Sequence, residues 1–289
     1  MLSLRTVSSQ SQEPFPPRPT RARKPCCVPS GTWQISSRKN RQWESRLPAN
    51  PVEGCISSAT ETFPGFTGLQ VKKLLERDLG IPVSIDNDVN CAALGEGRLG
   101  AATGCPDFLC LTYGTGIGGA IILGGKLHYG QTFAAGEVGH MTLRADGIRC
   151  SCGRLGCYEA YASTTALIRR VYLEHKLTLD GRGICELCEQ GSEGINETVN
   201  RWIGDVCAGL TSCIHMLNPP VVVLGGGIMR EPYILGQLER MTAPMVKPSF
   251  RGCRGAPAAL GNNAGLMGAG YLAANIGSGW HPPRSGRTV

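Results

Sequence analysis

The chain of 289 residues is expected to fold as an α/β protein. Three observations predict this. Short apolar runs at 81–85, 108–113, 120–123 and 221–224 alternate with stretches of helical apolar spacing. Those runs break off in acidic or glycine-rich turns: D-N-D-V-N at 86–90, G-T-G-I-G-G at 114–119 and G-G-G at 225–227. The 40 glycines gather at such turns and follow no period, which excludes a collagen-like or low-complexity chain. Ligands of open α/β sheets bind beyond the carboxyl ends of strands, so these turns are where a site is sought.

Residues 1–52 form a separate segment. They carry nine Lys or Arg against two acids, which is the whole net charge of +7; the rest of the chain is neutral. A polyanion-steering surface is therefore not expected on the folded part, and no nucleic-acid partner is expected. The segment is rich in Ser, Arg and Pro, lacks a sustained apolar period, and is expected to be disordered. Its bias resembles that of a mitochondrial transit peptide, although the prolines interrupt any amphipathic helix. No run reaches the length of a membrane helix, and no secretory signal pattern opens the chain. With its 14 cysteines in so long a chain, a reducing, cytoplasmic setting is expected.

From residue 53 the texture is that of a packed domain. A helix is expected over 66–79, stopped by Gly80 and Pro82, then a strand at 81–85 running into the acidic turn and a helix over 91–99. Asp88 has the chemistry of a general base that takes the proton from a hydroxyl attacking a phosphoryl group. Asn87 could donate to and accept from neighbouring hydroxyls. The competing role for Asp88 or Asn90 is to cap the following helix. Strands at 108–113 and 120–123 flank the loop 114–119, whose amides and Thr115 hydroxyl suit ATP phosphates, unless the loop is an ordinary hairpin tip.

The stretch 137–159, E-V-G-H-M-T-L-R-A-D-G-I-R-C-S-C-G-R-L-G-C-Y-E, crowds four soft-metal ligands together: His140, Cys150, Cys152 and Cys157. Gly153 and Gly156 let the backbone turn so that the sulfurs converge. Three thiolates and one imidazole suit tetrahedral Zn²⁺, and four protein ligands leave no position for a reactive water, so a structural zinc is expected. The alternative is a set of buried reduced thiols beside a surface histidine. A clamped loop would hold Glu137, His140 and Glu159 in fixed directions, as a site reading the hydroxyls of a polar ligand needs. A long helix is expected over 158–176, and Cys185 and Cys188 read as core packing on a short helix. A further helix spans 197–217. The strand at 221–224 then enters Gly225-Gly226-Gly227, which suits close approach of a nucleotide or a tight βα turn. A small-residue helix at 261–274 closes the fold, and 276–289 reads as a tail.

Together, D-N-D-V-N-C-A-A-L-G-E, G-T-G-I-G-G, E-V-G-H and C-S-C-G-R-L-G-C-Y-E-A-Y-A-S resemble the ROK family of repressors, open reading frames and sugar kinases, over about residues 50–274. The resemblance is to glucokinase-type members and the N-acetylmannosamine kinase domain. It implies the two-lobed actin-like ATPase fold (ribonuclease H-like), with 53–105 as the remnant of the first lobe and 106–275 as the second. It implies an ATP- and Mg²⁺-dependent kinase of a hexose or N-acetylhexosamine, expected as a homodimer. Asp88 would be the catalytic base; Asn87, Glu137, His140 and Glu159 would contact the sugar; Thr115, Gly116 and Gly225 to Gly227 would lie against ATP. His140, Cys150, Cys152 and Cys157 would hold zinc. Family kinases open with an Asp-x-Gly-Gly-Thr phosphate loop, whereas residues 1–49 contain Gly31 alone and no Asp. The first lobe is thus expected to be incomplete, and a non-catalytic sugar-binding protein or a sugar-responsive repressor are the rival readings.

Overall fold

The computed structural model describes residues 50–56 and 67–276 in full, and the backbone alone at 35–36, 42–45 and 49. Of the segment expected to be disordered, 1–34 lies outside the described residues, as does 277–289 of the expected tail. Short backbone strands lie in the remainder of the first segment: β1 (Ile35–Ser36) and β2 (Gln42–Ser45) are antiparallel, and β3 (Ala49–Asn50) pairs with β4 (Cys55–Ile56).

Helix α1 (Val71–Leu79) starts five residues later than the apolar spacing suggests. The chain at 67–68 instead makes a turn, with the Gly68 N–H bonded to the Ile56 carbonyl at 2.8 Å. Strand β5 (Ile85–Asn87) lies beyond the apolar run at 81–85 that was expected to form it. Pro82 has no N–H to offer a ladder, and the Val83 N–H is taken by Glu76 Oε1 at 3.1 Å. Helix α2 (Asp88–Leu99) follows without a break.

Five strands form the main mixed sheet, in the order β10-β9-β6-β7-β8. Strands β6 (Phe108–Tyr113) and β7 (Ile117–Leu123) are an antiparallel hairpin, and β8 (Lys126–Leu127) extends it. Strands β9 (Val221–Gly225) and β10 (Arg254–Pro257) run parallel to β6 and to each other. Both faces are covered, which is why F-L-C-L-T-Y and V-V-V-L read as continuous apolar runs. Leu109 and Leu111 face a core with Trp202, Ile203 and Leu167. Phe108 and Cys110 face a second core with Val89, Leu94 and Leu272. The expected boundary at 105 runs through this second core. Strand β10 went unpredicted because R-G-A-P has no strand pattern; it is an edge held by pairing with β9.

The first face carries helices α3 (Glu159–Ala162), α4 (Thr164–His175), α5 (Gly181–Glu189), α6 (Glu193–Leu217) and α7 (Pro232–Thr242). The single helix expected over 158–176 is two, because Ser163 adopts extended backbone and its Oγ accepts the Ala166 N–H at 3.1 Å as the cap of α4. Cys185 and Cys188 are buried in this core, as packing residues. The second face carries α2 and α8 (Ala264–Ala274).

Candidate functional site

Strand β5 ends in the acidic turn. The Asn87 side chain accepts the N–H groups of Val89 (2.9 Å) and Asn90 (3.3 Å), so the cap of α2 is Asn87, and neither Asp88 nor Asn90 has that job. Asn87 therefore has its oxygen committed, leaving the amide N–H₂ as the group able to reach a hydroxyl. Asp88 is the first helical residue, half-buried, with one carboxylate oxygen 3.0 Å from the Val89 N–H.

Under the turn sits Asp86, only 1% exposed. It accepts hydrogen bonds from the Tyr129 hydroxyl (2.6 Å), Asn90 Nδ2 (2.7 Å) and the Asn87 N–H (2.8 Å). Burial pushes its carboxyl up to about 6, against the lowering effect of these donors. Sequence reading missed it, since its partner Tyr129 is 43 residues away. A folded pKa above the unfolded value means that the native state holds a proton the unfolded chain has released. This contribution to stability is full below pH 3.8 and is lost as pH rises through about 6. Between pH 4 and 7, wild-type protein is expected to lose about 3 kcal/mol relative to Asp86→Asn, at 1.4 kcal/mol per unit. Urea unfolding across that range measures it; parallel pH profiles would refute the assignment.

The two glycine stretches meet at one end of the main sheet. Thr112 on β6 pairs with Gly225 on β9, and a Cβ on Gly226 (φ +102°) would lie 2.1 Å from the Tyr113 carbonyl oxygen. The triple glycine thus backs directly onto the hairpin tip. A 3-10 turn, Gly227–Arg230, separates it from α7. The hairpin loop is shorter than expected, because Gly118 and Gly119 are paired residues of β7 opposite Thr112 and Leu111. What remains at the tip is Gly114, exposed Thr115 and Gly116. Gly118 and Gly119 are glycine for close approach. A Cβ on Gly118 would lie 2.5 Å from Val89, next to Asp88; one on Gly119 would lie 2.5 Å from the Gly136 carbonyl, next to Glu137. The Asp88 turn and the Glu137 turn therefore grip the same stretch of β7 from opposite faces.

Glu137 precedes a 3-10 turn, Val138–His140, that leads into the cysteine loop. Bridges Thr142↔Cys157 and Arg149↔Leu155 fold the loop back on itself. Gly153 and Gly156 both have positive φ, as the spacing predicts. The ligand atoms of His140, Cys150, Cys152 and Cys157 lie within 4.8 Å of one another. Cys152 and Cys157 Sγ are 3.6 Å apart, and Cys150 Sγ is 3.7 Å from His140 Nδ1. A zinc tetrahedron with 2.3 Å Zn–S bonds has S···S edges of about 3.8 Å, so these two separations match the ion and the four donors suit its chemistry. With Nδ1 toward the sulfurs, His140 turns Nε2 toward Glu137, 4.0 Å from its carboxylate.

The loop is also tied down by charge. Asp205 on α6 accepts from Arg144 in the loop and Arg170 on α4, both at 2.6 Å. Glu159 is the first residue of α3, and its Oε2 accepts the Ile117 N–H at 2.9 Å. A Cβ on Gly116 would sit 2.1 Å from that same oxygen. Glu159 thus joins the hairpin tip to the cysteine loop, with its Oε1 near Ser151 Oγ (3.5 Å) and Cys150 Sγ (3.8 Å). The structure brings Glu137, His140, Glu159 and the three cysteines into one cluster, sets Asp88 across β7 from it, and packs the triple glycine against Thr112 and Tyr113, at the end of β6 that leads into Thr115 and Gly116. No helix among the described residues is long and apolar enough to cross a membrane.

The profile of the ROK family matches residues 53–276. A beta-glucoside kinase from Listeria innocua is 36% identical over 233 residues, covering 77% of this chain and 74% of its own length. Glucokinase from Streptomyces coelicolor is 34% identical over 226 residues, or 70% of each chain. A ROK family glucokinase from Streptomyces griseus, solved in complex with glucose and AMPPNP, superposes with a TM-score of 0.72 at 30% identity over 80% of each chain.

Proposed function

Because the chain belongs to the ROK family, we propose that it transfers the γ-phosphoryl group of ATP to a hydroxyl of a hexose or N-acetylhexosamine. The observation that carries this reading is the grip of the Asp88 turn and the Glu137–His140 turn on residues 117–119 of β7, beside the two glycine stretches. Asp88 takes the proton of the attacking hydroxyl. The new P–O bond forms in line as the bond to the β-phosphate oxygen breaks, and ADP leaves. Asn87 Nδ2, Glu137, His140 Nε2 and Glu159 orient the sugar. Thr115, Gly116 and Gly225 to Gly227 receive the nucleotide, whose approach a Cβ would obstruct.

His140, Cys150, Cys152 and Cys157 would hold Zn²⁺ in a closed set, where the ion fixes the loop. Mg²⁺ would arrive on the nucleotide phosphates, since that cluster is the one group of three or more potential metal ligands among the described residues. The reading carries with it a cytoplasmic homodimer that binds no nucleic acid, in keeping with the neutral charge of residues 53–289.

A second reading, a non-catalytic zinc-stabilised sugar-binding protein, uses the same cluster of Glu137, His140, Glu159 and the three cysteines without the transfer step. The full chain, incubated with ATP, Mg²⁺ and a panel of hexoses and N-acetylhexosamines, separates the two by coupled measurement of ADP and by calorimetry. Sugar-dependent ADP release supports the kinase. Sugar binding without ADP release supports the second reading, and absence of sugar binding refutes both.

A further inference from the structure

Glu96 is a buried carboxylate, 0% exposed, that the proposed chemistry leaves unused. Its Oε2 accepts the N–H groups of Ala101 (2.7 Å) and Ala259 (3.1 Å), and its Oε1 accepts that of Leu260 (2.8 Å). The first bond closes the end of its own helix. The other two reach 163 and 164 residues along the chain, to the loop between β10 and α8. A buried carboxyl group without exposure needs such donors, and here backbone amides supply them all.

That loop also touches the triple-glycine turn. The Ala258 N–H bonds to the Leu224 carbonyl at 2.9 Å, and a Cβ on Gly225 would meet Ala258 at 3.9 Å. Arg230 lies against Gly261, 3.1 Å from where a Cβ would stand. On its other side, α2 and α8 cross with almost no space between backbones. A Cβ on Gly95 would lie 2.3 Å from the Ala264 carbonyl oxygen, and one on Gly268 would lie 1.7 Å from that of Cys91. Arg98 closes the crossing, with its guanidinium bonded to the Tyr271 hydroxyl at 2.6 Å and stacked on the ring at 4.4 Å.

We propose that Glu96 is a positioning residue, which sets the helix bearing Asp88 in register with the glycine turn at 225–230. Asp88 lies about 12 Å along the same rigid helix, at 1.5 Å per residue, so a shift at Glu96 is carried to it. This inference rests on the proposed function for its meaning, while its first test does not.

The test is amide hydrogen exchange on the full chain. In Glu96→Gln one bond set faces an N–H₂ group that cannot accept, so exchange is expected to quicken at least tenfold at Leu260, at 87–90 and at 225–230. The cysteine loop at 150–157 is expected to keep its rates, which distinguishes misplacement from general loosening. Faster exchange confined to 259–260, or raised equally everywhere, would overturn the proposal. Should Glu96→Gln not fold, Glu96→Asp keeps the carboxyl group, spans less far, and carries the same expectation. If the wild type releases ADP, Glu96→Gln is expected to lower kcat at least tenfold with the sugar KM within about threefold. A rise in KM at unchanged kcat would refute the role. A wild type without ADP release counts against the kinase reading and leaves the exchange result to decide on Glu96.

Discussion

Asp88→Asn is expected to lower sugar-dependent ADP release by about 10²–10⁴-fold, the usual contribution of a positioned general base, and to leave sugar affinity within about threefold. The geometry makes this substitution clean. Asn87 caps α2 by accepting from Val89 and Asn90, so the cap survives loss of the Asp88 charge. The structural loss includes the interaction of one carboxylate with the helix end, about 0.3–1 kcal/mol. Thermal unfolding and ADP release, measured on the same preparations, separate the two roles. A large fall in stability with ADP release unchanged would make Asp88 a structural residue and remove the base from the mechanism.

Removal of zinc has the second large expected effect. Reduced, purified protein is expected to contain one zinc per chain by elemental analysis. Cys157→Ser, at a fully buried ligand position, is expected to release it. Structural zinc contributes roughly 10–16 kcal/mol in small peptide folds, where the ion is most of the structure. Here the loop keeps other supports: the Arg144–Asp205–Arg170 link and the Glu159 bond to Ile117. Loss of the ion should therefore loosen residues 140–157 while the main sheet stays folded. Sugar affinity is expected to fall about 10–100-fold, since His140 loses its fixed direction, and AMPPNP affinity to stay within about threefold. Metal-free protein that binds sugar as before would refute the role given to the loop.

Parts of the fold were legible because they are locally encoded. Phe108–Tyr113 was read from its sequence to the residue, as an apolar run closed by glycine. The three cysteines and His140 were legible as a cluster because Gly153 and Gly156 bend a short loop, and ligands 17 positions apart or fewer have little room to do otherwise. Gly118 and Gly119 were misread as loop. Their lack of side chains answers to Val89 and Gly136, which approach from other parts of the chain. Edge strand β10 was invisible for a related reason, since R-G-A-P becomes a strand by pairing with β9.

By itself, then, the sequence determined the α/β class, the family, the clustering of His140 with Cys150, Cys152 and Cys157, and the acidic turn, all of which are written in contiguous residues. Tertiary structure decided that Asn87 and not Asp88 caps the helix, that Tyr129 meets Asp86, that Glu159 reaches Ile117, and that Glu96 holds Ala259 and Leu260. In the last three cases a polar group meets a partner distant in sequence. A buried carboxylate must find donors wherever packing places them, and no local pattern of residues records that choice.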